Sequence, residues 1–229
     1  MSKRIVVAID GPSGAGKSTI ARRLASRLGF LYIDTGAMYR AVGLWALRLR
    51  VNLSDMHRLE QLAREARIEL GPGDSTVFLN GEDISEAIRT QEIADAASRA
   101  SAVPGVRRAM VEKQREMASR ANVVMEGRDI GTVVFPGAPV KVYLDATPEV
   151  RAGRRVKELR EKGLEAHVDE IAGQIRERDR RDSTRADSPL MQANDAVYVD
   201  SSGLDIGEVE EAILRIVRDR TSNGKDHAS

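Results

Sequence analysis

The stretch Gly11-Pro12-Ser13-Gly14-Ala15-Gly16-Lys17-Ser18 decides the fold of this 229-residue chain. It follows the apolar run 5–9, which is typical of a buried strand, and it precedes apolar residues at helical spacing, Ile20, Leu24 and Leu28. A strand, a glycine-rich loop, Lys-Ser and a helix form the P-loop pattern, because glycines let backbone N–H groups curl around a phosphate. The sequence therefore predicts a nucleoside triphosphate site.

The residue types of this loop indicate individual roles. Lys17 is expected to reach the β- and γ-phosphates, and the hydroxyl of Ser18 to hold Mg²⁺ as the metal ligand. A glycine-rich turn that binds nothing is the alternative, and the strand and helix on either side of the loop argue against it. We expect the triphosphate to contact Gly11, Pro12, Ser13, Gly14, Ala15, Gly16, Lys17, Ser18 and Thr19.

Composition narrows the class of protein. Hydrophobic residues make up 41% of the chain and aromatic residues only 3%, which predicts an aliphatic core. No apolar run is long enough to span a bilayer, the N-terminus has no signal-peptide pattern and there is no cysteine, so we expect a cytoplasmic protein without a membrane partner. The net charge of +1 argues against a nucleic-acid binder.

Alternating strand and helix patterns predict an α/β protein with a doubly wound, five-stranded parallel sheet. Short strand patterns around Val77-Phe78-Leu79, with tight turns at Gly71-Pro72-Gly73 and Asn80-Gly81, predict a small antiparallel insertion. The predicted domains are a P-loop core at 1–63, 103–147 and 190–220, an insertion at 64–102, an arginine-rich helical lid at 148–189 and a disordered tail at 221–229.

Two further motifs follow predicted strands. In Asp34-Thr35-Gly36-Ala37-Met38-Tyr39-Arg40, Arg40 is a candidate phosphate clamp, whereas the alternative is that Asp34 or Thr35 only caps a helix.

In the segment 126–131, Glu126 is a candidate Walker-B carboxylate. Arg128 and Asp129 form either a functional pair or an ion pair that only organises the loop. Asp129 is also suited to accept a hydrogen bond from the amino group of cytosine.

The fourth motif is the charged run Arg176 to Arg185. Helical spacing predicts that Arg178, Asp182 and Arg185 share one face. A solvated helix with internal ion pairs is the alternative. Because a second arginine-rich helix precedes the run, with Gly163 between them, we favour a mobile lid over transferring phosphates.

These motifs together resemble the bacterial cytidylate kinases. The resemblance rests on the P-loop, the 34–40 run, Gly127-Arg128-Asp129-Ile130-Gly131-Thr132-Val133-Val134, Ile88-Arg89-Thr90-Gln91-Glu92 and the helix Glu177 to Arg185, in order along nearly the whole chain. It implies Mg²⁺-dependent transfer of the γ-phosphoryl group of ATP to CMP or dCMP, a role in pyrimidine nucleotide metabolism, and a monomer. It also implies a P-loop core, a monophosphate-binding insertion and a lid.

The resemblance also implies residue roles. Arg40, Arg128 and Arg185 would hold the CMP phosphate; Thr35, Ser98, Arg107 and Asp129 would surround the cytosine; and Arg178 and Asp182 would reach the pentose hydroxyls. Lys17, Arg128, Arg154 and Arg178 would be the catalytic residues.

Other P-loop functions remain as alternatives. A kinase acting on shikimate or a nucleoside fits the triphosphate site, but not the antiparallel insertion or the Arg128-Asp129 pair. A GTP-dependent switch would need an Asn-Lys-x-Asp run after a strand, and the sequence contains none.

Overall fold

The protein is described from a computed structural model, which covers residues 4–71, 76–161 and 163–222. The strands are Val6–Asp10 (β1), Leu31–Asp34 (β2), Ile68–Leu70 (β3), Val77–Leu79 (β4), Glu82–Asp83 (β5), Val123–Gly127 (β6), Val140–Asp145 (β7) and Val197–Asp200 (β8). The helices are Lys17–Leu28 (α1), Thr35–Arg48 (α2), Met56–Glu65 (α3), Gln91–Ala100 (α4), Pro104–Ala118 (α5), Pro148–Glu161 (α6), Val168–Thr184 (α7) and Ile206–Ser222 (α8).

The larger sheet confirms the predicted class. Its five strands lie in the order β2-β6-β1-β7-β8, and β1 pairs in parallel with both β6 and β7. The central strand β1 is buried along its whole length, as the apolar run at 6–9 predicts for a parallel strand covered on both faces, and its last residue, Asp10, is buried as well. In this register Asp10 lies between Gly127 and Tyr143, so the P-loop and the segment after β6 leave the same edge of the sheet.

The chain divides into two compact units, residues 1–31 with 121–229 and residues 32–120. The first unit contains β1, β6, β7 and β8, together with α1, α6, α7 and α8. Its helices α6 and α7 pack on each other through a small aliphatic cluster that includes Val156, Ile171 and Ile175. This cluster shows why two strongly charged helices still pair, because each keeps one narrow apolar stripe.

The second unit contains the predicted antiparallel strands. The strands β3, β4 and β5 form an antiparallel sheet, with Ile68 opposite Leu79 and Phe78 opposite Asp83. Helices α2 and α4 approach closely at Gly43, where an added Cβ would lie 2.9 Å from the Ala97 nitrogen. The turn predicted at Gly71-Pro72-Gly73 falls partly outside the described residues.

Two helix termini bear on the local predictions. Pro104 is the first residue of α5, where its missing N–H has no cost. Helix α7 ends at Thr184 and Arg185 is extended, so Arg185 does not share a helical face with Arg178 and Asp182.

Two short elements were not predicted. A five-residue π-helical turn spans Ile130–Val134, and a 3₁₀ turn spans Ala87–Arg89. At the other end of the chain, α8 extends to Ser222, two residues into the predicted tail, and residues 223–229 lie outside the described range. Among the described residues, no helix has both the length and the apolar character needed to cross a membrane.

Candidate active site

The backbone of the P-loop requires glycine at defined positions. Gly11 has φ 149°, and a Cβ there would lie 1.9 Å from the carbonyl oxygen of Leu144 on β7. Gly16 has φ 94° and forms the N-cap of α1 without any side-chain capping bond. The first N–H groups of α1 are therefore left for another acceptor, as in helix N-termini that bind phosphate.

Lys17 is the strongest catalytic candidate in this loop. Its side chain is 5% exposed, and its Nζ donates a hydrogen bond of 2.6 Å to the carbonyl oxygen of Pro12. Burial, followed by the nearby positive charge of Arg128, lowers the pKa of Lys17 to about 7. An anion next to Lys17 would stabilise its charged form, so the side chain is suited to bind phosphate.

Arg154 lies beside the same loop. Its Nη2 donates to the Ser201 carbonyl oxygen at 2.6 Å and its Nη1 to the Ser201 hydroxyl at 3.1 Å, while the Ala15 carbonyl oxygen is 3.5 Å from Nη1. The predicted catalytic Arg154 is therefore next to the P-loop, and it is anchored by Ser201, a residue that the sequence analysis did not single out.

Arg128 and Asp182 come together in the first unit, and Asp129 follows Arg128 in the chain. The Nε of Arg128 donates to Oδ2 of Asp182 at 2.9 Å, and the two side chains are only 18% and 9% exposed. Burial opposes the charge of Arg128, but the carboxylates near it, Asp182 first and then Glu126 and Asp179, together raise the pKa of Arg128 above its ordinary value. Asp129 is buried at the start of the π-helical turn, directly after Arg128.

Two further predicted site residues lie on α7 or directly after it. Arg178 is half-buried on α7, and its charge acts on both Lys17 and Asp182. Arg185 donates from its Nε to the Ser188 carbonyl oxygen at 2.6 Å, beyond the end of the helix. Arg178 and Asp182 therefore share the electrostatic environment of Lys17 and Arg128, and the charge of Arg185, from the loop after α7, also acts on Asp182.

In the second unit, Asp34 caps a helix, as one of the two interpretations of the motif at residues 34–40 predicts, and it also contacts Arg40. Asp34 caps α2 by accepting from the Ala37 N–H at 2.8 Å, and its other oxygen accepts from Nη2 of Arg40 at 3.0 Å. Thr35 is buried at the first position of α2. The cap thus holds Arg40 in place, which is compatible with a phosphate clamp.

The other two predicted base contacts also lie in the second unit. Arg107 is 2% exposed; its Nη1 donates to the Ser101 carbonyl oxygen at 3.2 Å, and its guanidinium lies 5.5 Å from the centre of the Tyr39 ring. Ser98 is half-buried on α4, and its carbonyl oxygen accepts from the Ser101 hydroxyl. Ser101 therefore joins the two segments that carry Ser98 and Arg107.

The comparisons with known proteins agree with this architecture. The family model described as cytidylate kinase matches residues 7–219. The chain belongs to the cytidylate kinase family. A cytidylate kinase of Solibacter usitatus is 65% identical over 98% of this chain and 97% of its own, and one of Desulforamulus reducens is 50% identical over 93% and 97%. The chain is thus a P-loop nucleoside monophosphate kinase, which confirms the resemblance seen in the sequence.

A solved structure supports the fold independently. The structure of a gluconokinase from Sinorhizobium meliloti superposes with a TM-score of 0.52 at 16% identity, and the match covers 99% of this chain and all of that one. At this identity the likeness shows only the P-loop kinase fold, and the cytidylate kinase family assignment rests on the sequence relatives.

Asp10 is a buried carboxylate directly before the P-loop, and the sequence motifs did not point to it. It ends β1, is 5% exposed, and accepts backbone N–H bonds from Ile130 at 2.8 Å and Gly131 at 2.7 Å. Burial is the main cause that raises its pKa to about 6, against the lowering effect of those two bonds. Its acidic position before the P-loop was visible in the sequence, but its partners, about 120 residues away, were not.

The oxygen groups near the P-loop suit a hard cation. Ser18 is exposed in the first turn of α1, and the carboxylate of Glu126 is buried at the end of β6, beside Ile9 in the strand register. A hydroxyl, a carboxylate and phosphate oxygens form the donor set that Mg²⁺ prefers. The residues present therefore fit a magnesium ion that arrives with a nucleotide.

Proposed function

We propose that this enzyme transfers the γ-phosphoryl group of ATP to CMP or dCMP, giving ADP and CDP or dCDP, as part of pyrimidine nucleotide metabolism. The observation that carries the proposal is that Lys17 is buried within the P-loop, where the positive charges of Arg128 and Arg178 act on it. A buried lysine among arginines is unfavourable by itself and becomes favourable beside a polyphosphate. The names of the relatives support cytidylate as the acceptor.

In this proposal the donor is bound by the P-loop, residues 11–19. Backbone N–H groups surround the phosphates, and Lys17 and Arg154 place positive charge next to the β–γ bond. Ser18, with Glu126 as a second candidate ligand, would hold Mg²⁺, which neutralises charge on the phosphate oxygens when bound. The hydroxyl of Thr19 is a further candidate contact.

The acceptor contacts are proposed separately for each unit. In the first unit Arg128 and Arg185 bind the CMP phosphate, Asp129 accepts from the cytosine amino group, and Arg178 and Asp182 contact the pentose. In the second unit, Arg40 binds the phosphate, and Thr35, Ser98 and Arg107 contact the base. The Arg128–Asp182 hydrogen bond supports this assignment, because it fixes the proposed phosphate ligand, Arg128, next to the proposed pentose ligand, Asp182.

The proposed reaction needs no dedicated general base. The phosphate of CMP is already an anionic nucleophile, so the enzyme has only to place it in line with the γ-phosphoryl group and to stabilise the charge. Lys17, Arg128, Arg154 and Arg178 supply that charge. We further propose that closure of residues 148–189 over the phosphates excludes water and so suppresses hydrolysis of ATP.

A coupled assay with ATP, Mg²⁺ and a panel of nucleoside monophosphates tests the proposal. We expect turnover with CMP and dCMP, and catalytic efficiency at least tenfold lower with UMP and AMP. Preferred turnover of another monophosphate would refute cytidylate as the acceptor. Rapid ATP hydrolysis without any acceptor would refute the transferase reaction itself.

We also propose a cytoplasmic monomer that acts on these small molecules without a nucleic-acid partner. The balanced charge of the chain, +1, supports the absence of a nucleic-acid surface. Light scattering at working concentration tests the monomer, with a mass near 25.1 kDa expected.

A further inference from the structure

Arg151 makes contacts that none of the predicted roles explains. It lies on α6 and is 4% exposed. Its Nε donates to the carbonyl oxygen of Ala146 at 2.8 Å, and its Nη1 donates both to the carbonyl oxygen of Ser13 at 2.9 Å and to Oδ2 of Asp179 at 2.6 Å. One guanidinium on α6 thus joins the segment between β7 and α6, the P-loop and helix α7.

The bond to Ser13 acts on the phosphate-binding backbone. The Ser13 carbonyl and the Gly14 N–H belong to one planar trans peptide group and point in opposite directions. Because Arg151 holds the carbonyl on its own side, the Gly14 N–H is turned to the other side of the loop. Gly14 itself has φ 80°, and a Cβ there would lie 3.1 Å from Cβ of Arg151, so the loop packs directly against this residue.

A neighbouring peptide of the P-loop is held in a similar way. The Ala15 carbonyl oxygen accepts a 3.3 Å hydrogen bond from the Ser201 hydroxyl, which directs the following N–H, that of Gly16, away from Ser201. Two alternate carbonyls of the loop are therefore fixed by side chains from outside it. Such fixed N–H groups bind an anion without the cost of reorganisation at the moment of binding.

The second partner of Arg151 connects the loop to α7. Asp179 lies on α7 between Arg178, the residue before it, and Asp182, which is three residues further along the helix. Its carboxylate balances the charge of Arg151, which leaves Arg151 less suited to bind phosphate itself. An ion pair serving only to join α6 to α7 would not need the bond to Ser13, which lies 138 residues away in the sequence.

We propose that Arg151 is a positioning residue for phosphoryl transfer: it orients the Gly14 N–H toward the triphosphate and, through Asp179, aligns the helix that carries Arg178 with the P-loop. This inference rests on the proposed ATP site at residues 11–19. It assigns Arg151 no contact with either substrate.

The test compares Arg151→Met, Arg151→Lys and Asp179→Asn with the control Arg155→Met. Arg155 lies one turn further along α6, and its Nη1 donates to Oε2 of Glu158 at 2.8 Å on the surface of the same helix. Calorimetry with Mg²⁺ and inorganic tripolyphosphate measures the affinity of the P-loop for phosphates by itself, without nucleoside contacts or turnover. Steady-state assays then give kcat and the KM values for ATP and CMP.

We expect Arg151→Met to weaken tripolyphosphate binding and raise the KM for ATP about tenfold, with the KM for CMP within about twofold. Arg151→Lys should restore part of this loss. Asp179→Asn should mainly lower kcat, and adding it to Arg151→Met should cause little further loss, because both act through one contact chain. The control should match the parent enzyme.

Unchanged tripolyphosphate binding in Arg151→Met would overturn the proposal, as would an equal change in the control. If Arg151→Met fails to fold, Arg151→Lys carries the test, and tripolyphosphate binding equal to that of the parent would overturn the proposal. A parent enzyme that binds tripolyphosphate but turns over no monophosphate would refute the proposed function, while the binding comparison would still decide the role of Arg151.

Discussion

The Nε of Arg128 donates to Oδ2 of Asp182 at 2.9 Å, which joins the segment after β6 to helix α7 across 54 residues of sequence. Both side chains are largely buried, so each depends on the other to offset the loss of hydration. The two residues are therefore structural partners of each other as well as proposed contacts of the acceptor nucleotide.

A double-mutant cycle measures this dependence. Arg128→Met and Asp182→Asn should each lower the free energy of unfolding by about 3 kcal/mol, because each leaves a buried group without its partner. The double variant should cost at least about 1 kcal/mol less than the sum. Urea unfolding gives these values. The exposed pair Arg180–Glu177 on the same helix is the control, and Arg180→Met should leave the free energy of unfolding nearly unchanged. Additive losses would contradict the coupling.

Replacement of Lys17 should remove most of the activity. Lys17→Ala takes away the charge proposed to stabilise the transferring phosphoryl group, so kcat should fall by more than about a hundredfold, equivalent to about 3 kcal/mol. Lys157→Ala, which alters an exposed lysine on α6, should leave kcat within about twofold of the parent value. Near-normal turnover by Lys17→Ala would refute its role.

Proton uptake should accompany nucleotide binding. The pKa of Lys17 is lowered to about 7 by burial and by Arg128, so at pH 8 this side chain is mostly neutral. Bound phosphates should raise that pKa again, and binding should take up close to one proton. Calorimetry at pH 8 in buffers of different ionisation enthalpy measures the uptake. Lys17→Gln should show none, and equal enthalpies in all buffers for the parent enzyme would contradict the prediction.

Asp129 should affect the choice of base more than the binding of ATP. If its carboxylate accepts from the cytosine amino group, Asp129→Ala should lower kcat/KM for CMP by about tenfold or more and that for UMP much less, with the KM for ATP nearly unchanged. Asp129→Asn keeps the side-chain shape and serves as the matched variant. Equal losses for CMP and UMP would rule out this contact.

Asp10 should make stability depend on pH in a defined window. Its pKa in the folded protein is raised from 3.8 to about 6, mainly by burial, so the contribution of Asp10 is greatest below pH 3.8 and is lost as the pH rises through 6. The free energy of unfolding of the parent protein minus that of Asp10→Asn should therefore fall by up to about 3 kcal/mol between pH 4 and pH 7. Urea unfolding across this range measures it, and a constant difference would contradict the shifted pKa.

Much of the architecture followed from local sequence patterns. The helix predicted after the P-loop, with Ile20, Leu24 and Leu28 on one face, is found as α1, Lys17–Leu28, because apolar spacing is a local signal. Arg185 was placed wrongly because helical spacing was extended beyond the end of α7, and no strong stop signal marks that end. The π-helical turn at Ile130–Val134 was missed since it depends on Asp10, a distant acceptor.

The sequence by itself determined the P-loop, the parallel sheet and the kinase family, because strand and helix periodicity and glycine spacing are encoded within a few residues of each other. Only the tertiary structure decided which charged groups meet: Asp10 with the N–H groups of Ile130 and Gly131, and Arg151 with Ser13 and Asp179. The physical reason is that burial makes an unpaired charge costly, so each buried charge takes whatever partner the fold brings near, however distant it is along the chain.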